Sequence, residues 1–300
     1  MRVFITGASG WIGSALTAEL VAAGHDVTGL ARSEASAAKI TAAGGAAVRG
    51  DMQDHDLIVS EATKADAVAH LAFTLDFAAF EETVANEVDL IAKLGIALEG
   101  TGKAFVAASG TPILPGRIAT EEDVLDPAGP AGPRARTASA VLALSAKGIR
   151  SVLVRMPRSV HGEGDQNGLV SALVALDRQL GVAAYVGDGQ NRWPAVHISD
   201  AARLFFLALE SAPAGSVLHA VGEEGVVMRH VADVVAAKTG LPATAVDPER
   251  LGVFGALLSG DQPSSALTTR RLMSWEPSGP TLLHDLQTGF YTDLPTKTID

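Results

Sequence analysis

Three glycines close to the first residue, Gly7, Gly10 and Gly13, have the type and spacing that suit phosphate binding. They lie between an apolar run at 3–5 and an amphipathic helical pattern that begins at Trp11. In such a strand–turn–helix unit the first glycine permits a tight turn, the second lets the backbone approach a pyrophosphate, and the third lets helix and strand pack closely. The spacing is G-x-x-G-x-x-G rather than G-x-G-x-x-G, and glycines also serve purely structural turns, but this context favours a dinucleotide cofactor.

The adenosine end of that cofactor is expected at the ends of the second and third strands. NAD-specific sites place an acidic residue about twenty residues beyond the glycines. Here Arg32 and Ser33 occupy that region, and Asp26 lies at the wrong end of the strand. Arg32 could pair with a 2′-phosphate, so NADP(H) is favoured over NAD(H). The alternatives are that Ser33 only caps the helix at 34–43 and that Arg32 is a solvated surface residue. Asp51 could accept a hydrogen bond from the adenine amino group, or it could cap a turn.

Further cofactor contacts are expected beside the glycine turn and at the ends of later strands. The first amides of a helix have no partner within it, so Ser9, Trp11 and Ile12 are expected to face the phosphates. Leu71 and Ala72 end the fourth strand, where backbone lines the cofactor ribose, and Ser109 places a hydroxyl at the crevice. Together these residues outline one nucleotide site at the carboxyl edge of a sheet.

Short apolar runs alternate with amphipathic helical patterns through the first half of the chain. Strands are predicted at 2–6, 26–31, 46–49, 67–71, 103–108 and 150–155, and helices at 11–23, 34–43, 56–63, 77–98 and 134–147. This alternation is typical of an α/β fold with a doubly wound parallel sheet, the Rossmann arrangement.

The alternation weakens after residue 155, which predicts a second, smaller lobe. Residues 109–133 are rich in Pro and Gly and read as a long loop at the ligand crevice. Residues 1–157 are expected to form the dinucleotide-binding domain, completed by about 187–222, with 158–186 and 223–300 forming an interleaved substrate lobe. Helices are predicted there at 168–179, 227–239 and 280–289, with a strand near 216–220. Ser199 is expected to cap a further helix that runs to Glu210.

Composition narrows the classes of partner. The net charge of −11 and a pI near 5.2 argue against nucleic acid and anionic membranes, which bind basic surfaces. The chain has no cysteine, and its eight histidines show no metal-binding spacing, so no metal is expected. No apolar run approaches the length of a membrane span, and no signal peptide is recognisable. The expectation is a cytoplasmic protein that acts on a small molecule.

Several segments together resemble the extended short-chain dehydrogenase/reductases, which include nucleotide-sugar epimerases, dehydratases and 3β-hydroxysteroid-dehydrogenase-like enzymes. The segments are Thr6–Gly13, Gly50–Asp51, His70–Ala72, Ser109, Arg155–Gly162 and Trp193–Asp200, and the resemblance runs to about residue 290. It implies a Rossmann domain, a nicotinamide cofactor and a small C-terminal substrate lobe. It also implies that Ser109 is the active-site serine and that 155–162, including Pro157, passes the nicotinamide and the substrate. Relatives of this kind often pair through helices matching 77–98 and 134–147, so a homodimer is expected.

The sequence departs from that family at the catalytic pair, Tyr-x-x-x-Lys, which belongs in the helix before the sixth strand. The helix at 133–147 contains no tyrosine, and aligning the motif serine with Ser139 puts Arg136 at the tyrosine position and Ala140 at the lysine position. Tyr185 and Tyr291 are the tyrosines of the chain, and both lie outside the motif. The chain therefore resembles an atypical branch of the family.

Four residues could replace the missing pair. Ser109 and Thr111 could hydrogen-bond a carbonyl oxygen, and Arg136 could stabilise negative charge that develops on it. His161 is the titratable side chain best placed by the motif to exchange a proton near neutral pH. The alternatives are that His161 packs or caps a turn and that Arg136 binds a cofactor phosphate or a surface carboxylate.

Three functions remain open on these grounds. The leading hypothesis is an NADP(H)-dependent oxidoreductase that transfers hydride to a small, fairly apolar carbonyl compound. A nucleotide-sugar epimerase or dehydratase is the second, with Arg155, Arg158, Arg270 and Arg271 as candidate diphosphate ligands. The third is a non-catalytic NADP(H)-binding sensor or scaffold protein, which the missing Tyr/Lys pair motivates.

Overall fold

The structure, a computed structural model, describes residues 1–73, 79–114, 116–128 and 132–293. Its strands are β1 (Arg2–Thr6), β2 (Asp26–Ala31), β3 (Ala46–Arg49), β4 (Ala67–His70), β5 (Ala104–Gly110), β6 (Arg150–Met156), β7 (Ser159–His161), β8 (Ala183–Tyr185), β9 (Arg192–His197), β10 (Ser216–His219), β11 (Glu223–Val227) and β12 (Ala243–Ala245). Its α-helices are α1 (Trp11–Ala22), α2 (Glu34–Ala42), α3 (His55–Lys64), α4 (Phe80–Ala97), α5 (Gly132–Ala143), α6 (Leu169–Leu180), α7 (Ile198–Ser211), α8 (Met228–Thr239), α9 (Val253–Ser259), α10 (Leu267–Met273), α11 (Leu282–Thr288) and α12 (Phe290–Asp293).

A seven-stranded sheet in the order β10-β6-β5-β4-β1-β2-β3 forms the centre of the molecule. Every pairing in it is parallel. The chain starts near the middle, runs to one edge and then builds the other half, which confirms the predicted doubly wound fold. Because the strands are parallel, their carboxyl ends meet at one edge: Thr6 is level with His70, and Ser109 with Arg155.

Strand β1 shows how period-two alternation builds both faces of the sheet. Val3 and Ile5 point into one apolar cluster with Leu16 of α1, whereas Phe4 points into another with Leu90 of α4. All five side chains are buried. A strand apolar on both faces needs helices on both sides, which is the reason for the layered fold.

A smaller apolar cluster lies in the second half of the chain. It gathers Trp193, Leu173 and Tyr291 around a three-stranded sheet in the order β11-β9-β7 and a two-stranded sheet of β12 and β8. Strand β10, from the same half of the sequence, instead pairs with β6 at the edge of the large sheet. The second half therefore contributes to both parts of the structure.

Most predicted elements are present, with shifts at their ends. The helix predicted at 77–98 is α4, which begins at Phe80, and residues 77 and 78 lie outside the described ranges. The helix predicted at 134–147 begins at Gly132 and ends as a 3₁₀ turn at Leu144–Lys147. Of the predicted loop at 109–133 and the lobe ending at 300, positions 115, 129–131 and 294–300 also lie outside those ranges. No helix among the described residues is long and apolar enough to cross a bilayer.

Candidate cofactor and active site

The glycine turn after β1 adopts a conformation that only glycine accommodates well. Gly7 has φ +77°, and a Cβ there would lie 2.7 Å from the Ala72 amide nitrogen. At Gly13 a Cβ would lie 2.1 Å from the Gly7 carbonyl oxygen, which is far inside van der Waals contact. The turn therefore packs directly on the segment after β4 and on the first turn of α1, as the roles predicted for Gly7 and Gly13 require.

The amino end of α1 is open to a ligand. Gly10 is the N-cap residue, it is exposed, and no side chain caps the helix there. Among the described residues, the amides of Trp11, Ile12 and Gly13 have no backbone acceptor. Unpaired amides at the positive end of a helix are suited to an anion, so this cradle fits the pyrophosphate of a dinucleotide. Ser9, also predicted here, is half-buried beside the cradle.

At the carboxyl end of β2, Arg32 is exposed, and its guanidinium has no partner within the described ranges. Ser33 caps α2 by accepting a hydrogen bond from the Ser36 amide at 3.1 Å, as one alternative predicted. The neighbouring Arg49 ends β3, donates to the Arg32 carbonyl at 3.3 Å and pairs with Glu34 at 3.2 Å. Two arginines thus lie at this corner of the sheet, and one of them is unpaired.

Asp51 lies in the turn between β3 and α3. One of its carboxylate oxygens accepts a hydrogen bond from the Gln53 amide at 2.7 Å, and its own amide donates to Asp54 at 2.9 Å. The turn-capping alternative is therefore present in the structure. The second carboxylate oxygen of Asp51 accepts no hydrogen bond from the described residues, so a role at the adenine stays a prediction.

A buried polar network, which the sequence did not predict, links the glycine turn to α4 and α5. Thr6 Oγ1 and His70 Nδ1 lie 2.8 Å apart, and His70 Nε2 lies 3.2 Å from Glu87 Oε1. Glu87 also accepts from Thr137 at 3.1 Å and pairs with Arg134. Burial alone raises the pKa of Glu87, but the hydrogen bond with His70 and the charge of Arg134 outweigh it, so the pKa is lower than usual. The one signal in the sequence was a glutamate in the apolar stripe of α4.

Arg134 extends this network to the crevice. Its Nη2 donates to the carbonyl of Ala108 at 3.1 Å, and its guanidinium lies 4.1 Å from the ring centre of Phe73. Next to Ala108, the Ser109 hydroxyl is buried and has no hydrogen-bond partner among the described residues. Buried hydroxyls are nearly always paired, so an unpaired one at the end of β5 is suited to a bound ligand.

Leu71, Ala72 and Pro157 complete the predicted cofactor positions. The Leu71 amide donates to the Thr6 carbonyl at 3.0 Å, and the Ala72 amide lies 3.4 Å from Thr6 Oγ1. Pro157 directly follows β6 and is buried. The structure therefore brings the glycine turn, the segment after β4, Ser109 and Pro157 to the same carboxyl edge of the sheet.

The two other candidate catalytic residues have partners elsewhere. Arg136, on α5, is exposed and pairs with Glu81 at the start of α4, which is the surface-carboxylate alternative. The His161 ring is fully buried, with Nδ1 2.6 Å from Asp285 Oδ2 of α11. Burial lowers the pKa of His161 despite the nearby Asp285 carboxylate. The His161 ring is enclosed and its Nδ1 is already held by Asp285, so the geometry favours a packing role for His161.

A cavity of about 600 Å³ lies among residues of the second half of the chain, beside the Asp285 partner of His161. His197, His284, Asp285 and Phe290 are among the residues that line it, and none of the predicted site residues do. Asp285 separates the cavity from the His161 ring. Within the described ranges no group of three or more His, Asp or Glu side chains is arranged to hold a metal ion.

The chain is similar in sequence and in fold to known proteins. Residues 3–221 match the model of the NAD dependent epimerase/dehydratase family. An uncharacterized protein of Schizosaccharomyces pombe is 38% identical over 297 residues, 97% of this chain and 100% of that protein. A 2-alkyl-3-oxoalkanoate reductase of Stenotrophomonas maltophilia is 30% identical over 260 residues, 81% of this chain and 77% of that protein. The dTDP-glucose 4,6-dehydratase of Streptomyces venezuelae, solved with NAD bound, shares the fold with a TM-score of 0.77 and 20% identity, covering 97% of this chain and 96% of that one.

Proposed function

Because the chain belongs to the NAD dependent epimerase/dehydratase family, we propose that it is an NADP(H)-dependent oxidoreductase that transfers hydride to a small, fairly apolar carbonyl compound. The observation that carries the proposal is the pairing of an open glycine cradle at α1 with the unpaired Arg32 at the end of β2. The cradle accounts for a dinucleotide, and the arginine accounts for its 2′-phosphate.

The preference for NADP(H) rests on the charges at the corner formed by β2 and β3. The exposed guanidinium of Arg32 can reach a phosphate without losing an existing ion pair. Arg49 is a second positive group at this corner, although Glu34 holds it in a salt bridge. A carboxylate that would bind a ribose 2′-OH and repel a 2′-phosphate is missing from the end of β2, where Ala31 precedes Arg32.

Ser109 is the best candidate for contact with the reacting carbonyl. Its buried hydroxyl lacks a partner and lies at the carboxyl end of β5, where doubly wound folds bind their ligands. When bound, the nicotinamide supplies the hydride, and the protein must orient the carbonyl and stabilise charge on its oxygen. Ser109 is assigned the hydrogen bond to that oxygen. Arg136 is assigned an electrostatic role at the start of α5, which requires its exposed pair with Glu81 to open.

The reductase among the relatives supports the direction of this proposal. Its name describes the reduction of a 2-alkyl-3-oxoalkanoate, a carboxylate that carries a 3-oxo group. The alignment with this relative covers 81% of this chain. We expect this chain to act on a carbonyl compound as well.

Two measurements test the proposal. Titrations that follow NADPH and NADH fluorescence should show tighter binding of NADPH by about 10- to 100-fold, the value of a hydrogen bond to a charged group. Arg32→Ala should remove that difference in affinity without weakening the binding of NADH. The purified protein should oxidise NADPH when it is given a panel of ketones, aldehydes and 3-oxo acids. Ser109→Ala should lower the rate of this oxidation. Equal affinities for both cofactors would refute the Arg32 assignment, and turnover untouched in Ser109→Ala would refute the Ser109 assignment.

A second candidate is a binding protein that senses NADP(H) without turnover. It is favoured by the absence of a tyrosine from α5, since Tyr185 and Tyr291 are both buried in the lobe. A missing acid or base typically costs about 10²–10⁴ in rate, so the distinction is one of measured turnover. Tight NADPH binding with no oxidation across the whole panel would favour the sensor.

A further inference from the structure

Arg158 lies where the carboxyl end of β5 approaches the lobe. Its Nε donates to Gln262 Oε1 at 2.8 Å, and Gln262 Nε2 in turn donates to the Thr111 carbonyl at 2.8 Å. Thr111 follows Ser109 by two residues, and its amide donates to the Met156 carbonyl at 3.0 Å. A chain of hydrogen bonds therefore connects the guanidinium of Arg158 to the segment that directly follows Ser109.

The guanidinium of Arg158 is held from three sides and free on the fourth. Nη1 donates to the Leu257 carbonyl at 2.5 Å, and the guanidinium carbon lies 4.9 Å from the ring centre of Trp193. Nη2 has no hydrogen-bond partner among the described residues, and the surrounding protein does not fully enclose it. One edge of this fixed cation is therefore available to a ligand.

No carboxylate among the described residues compensates the charge of Arg158. Burial lowers the pKa of its guanidinium to about 10, and no opposing charge raises it again. The group is still protonated at neutral pH. Burial of an unpaired cation is costly, and a ligand that brings a negative charge offsets that cost.

Three other buried or half-buried arginines have carboxylates nearby. Arg134 pairs with Glu87, and Arg155 lies in the field of Asp123 and Glu121. Arg150 donates to carbonyls at the end of α7 and lies near Glu210. Arg158 differs from all of these in that its neighbours are an amide, a carbonyl and an indole ring.

We infer that Arg158 binds a carboxylate of the substrate, so that the carbonyl compound reduced here is an oxo acid. A carboxylate would accept a charge-assisted hydrogen bond from Nη2, while Trp193 lies against the guanidinium face. The inference deepens the proposed function and rests on it.

A single carboxylate suits the site better than a diphosphate. A diphosphate carries more negative charge than one guanidinium edge can neutralise, and two of the other candidate arginines, Arg155 and Arg270, donate to backbone carbonyls instead. Arg155 donates to the Asp123 carbonyl at 2.6 Å, and Arg270 donates to the Gly222 carbonyl at 3.0 Å. One uncompensated cation matches one negative charge.

The kinetic test compares an acid with its neutral ester. Wild-type protein with NADPH should reduce 3-oxooctanoate with a kcat/KM about 10- to 100-fold above that of methyl 3-oxooctanoate, as expected for one hydrogen bond between charged groups. Arg158→Met should abolish this ratio, mainly through the KM of the acid, and Arg158→Lys should restore part of it. NADPH affinity should not change in either variant. Arg229→Met is the matched control, because Arg229 also lies over an aromatic ring, that of Tyr185, but pairs with Asp233 on the surface. The inference would be overturned if the ester and the acid had equal kcat/KM values, or if Arg158→Met left the acid-to-ester ratio of kcat/KM unchanged.

A binding test separates this inference from the proposed function. Calorimetry on the NADP⁺-loaded protein should detect octanoate but not octanamide, and Arg158→Met should lose the octanoate signal. If no carbonyl compound is turned over, the proposed function fails, while Arg158-dependent octanoate binding would still support the carboxylate site. Equal binding of octanamide would refute the carboxylate site. If UDP bound more tightly than octanoate and this binding depended on Arg158, the ligand of the site would be a diphosphate rather than a carboxylate. Should Arg158→Met not fold, Arg158→Gln provides the same comparison with a polar side chain.

Discussion

His70 Nε2 lies 3.2 Å from Glu87 Oε1, and this contact ties the strand beside the glycine turn to helix α4. The same carboxylate binds Arg134 and Thr137 of α5. One buried acid therefore connects the strand beside the glycine turn to α5. This is the helix in which the Tyr-x-x-x-Lys pair was expected from the family resemblance.

Removal of Glu87 should destabilise the protein strongly. Glu87→Ala leaves the guanidinium of Arg134 buried and unpaired, and breaking one side of such a pair costs about 3–5 kcal/mol. Urea unfolding at pH 7 measures the loss. Asp89→Ala on the same helix is the control: its exposed pair with Lys93 is worth at most about 1 kcal/mol. Equal losses in the two variants would mean that the network contributes nothing special.

Gly13→Ala should damage both stability and cofactor binding. Its Cβ would lie 2.1 Å from the Gly7 carbonyl oxygen, so the turn must shift, and overpacking of this kind costs about 1–3 kcal/mol. NADPH affinity should fall with it, because the shifted turn forms the cradle. Gly222→Ala is the control, since its nearest neighbour would be 3.5 Å away. Thermal unfolding and NADPH titration of both variants provide the check, and an unaffected Gly13→Ala would contradict the close packing.

Release of Arg49 from its salt bridge should increase the affinity for NADPH. Glu34→Gln removes the exposed carboxylate 3.2 Å from Arg49 and leaves a second free cation beside Arg32. The gain should be a few-fold, about the 0.2–1 kcal/mol of a surface pair, and should shrink in high salt. NADH affinity should stay constant. Glu276→Gln, which removes an exposed carboxylate after α10, serves as the charge-matched control. An equal gain for both cofactors would argue against a 2′-phosphate at this corner.

Asp177 should make stability fall as the pH rises. Burial raises its pKa to about 7 in the folded protein, although the Ala184 amide donates to it at 2.9 Å. Between the unfolded pKa near 4 and the folded value, the native state holds more protons than the unfolded chain, so unfolding becomes easier with increasing pH. By pH 8 the cost to the folded state is on the order of 4 kcal/mol. Asp177→Asn should remove this slope between pH 5 and pH 8 in denaturant titrations, whereas Asp56→Asn on the exposed face of α3 should keep it. A wild-type protein with the same slope as Asp177→Asn would refute the assignment.

Local patterns were sufficient to predict the fold. Strand β1 combines an apolar run with a glycine turn, and α1 buries Leu16 and Leu20 at helical spacing, so each element carries its own periodicity. The parallel order of the sheet follows from the alternation of such elements, because parallel strands need helical crossovers. The carboxyl edge, and with it the position of the cofactor cradle, is then determined.

Contacts between distant segments could not be predicted in the same way. Arg158 meets Gln262 across 104 residues, and nothing local to either side chain indicates the pairing. Even within one turn the prediction for Ser199 was wrong: α7 begins at Ile198, and the N-cap is His197, whose ring accepts a hydrogen bond from the Ser199 amide. An imidazole caps a helix less often than a hydroxyl does, and sequence preferences cannot identify such an exception.

Trp11 donates its indole N–H to the Val160 carbonyl at 3.1 Å, which joins the first residue of α1 to strand β7. Helix α1 also packs on α7, and Ala119 forms a bridge with Ser264 near the lobe. The nucleotide cradle thus depends on contacts with later segments of the chain. Cut from the chain after residue 157, it would lose the acceptor of Trp11 and the helix that covers α1. A fragment that ends at residue 157 is therefore expected to hold the cradle less firmly than the full chain does.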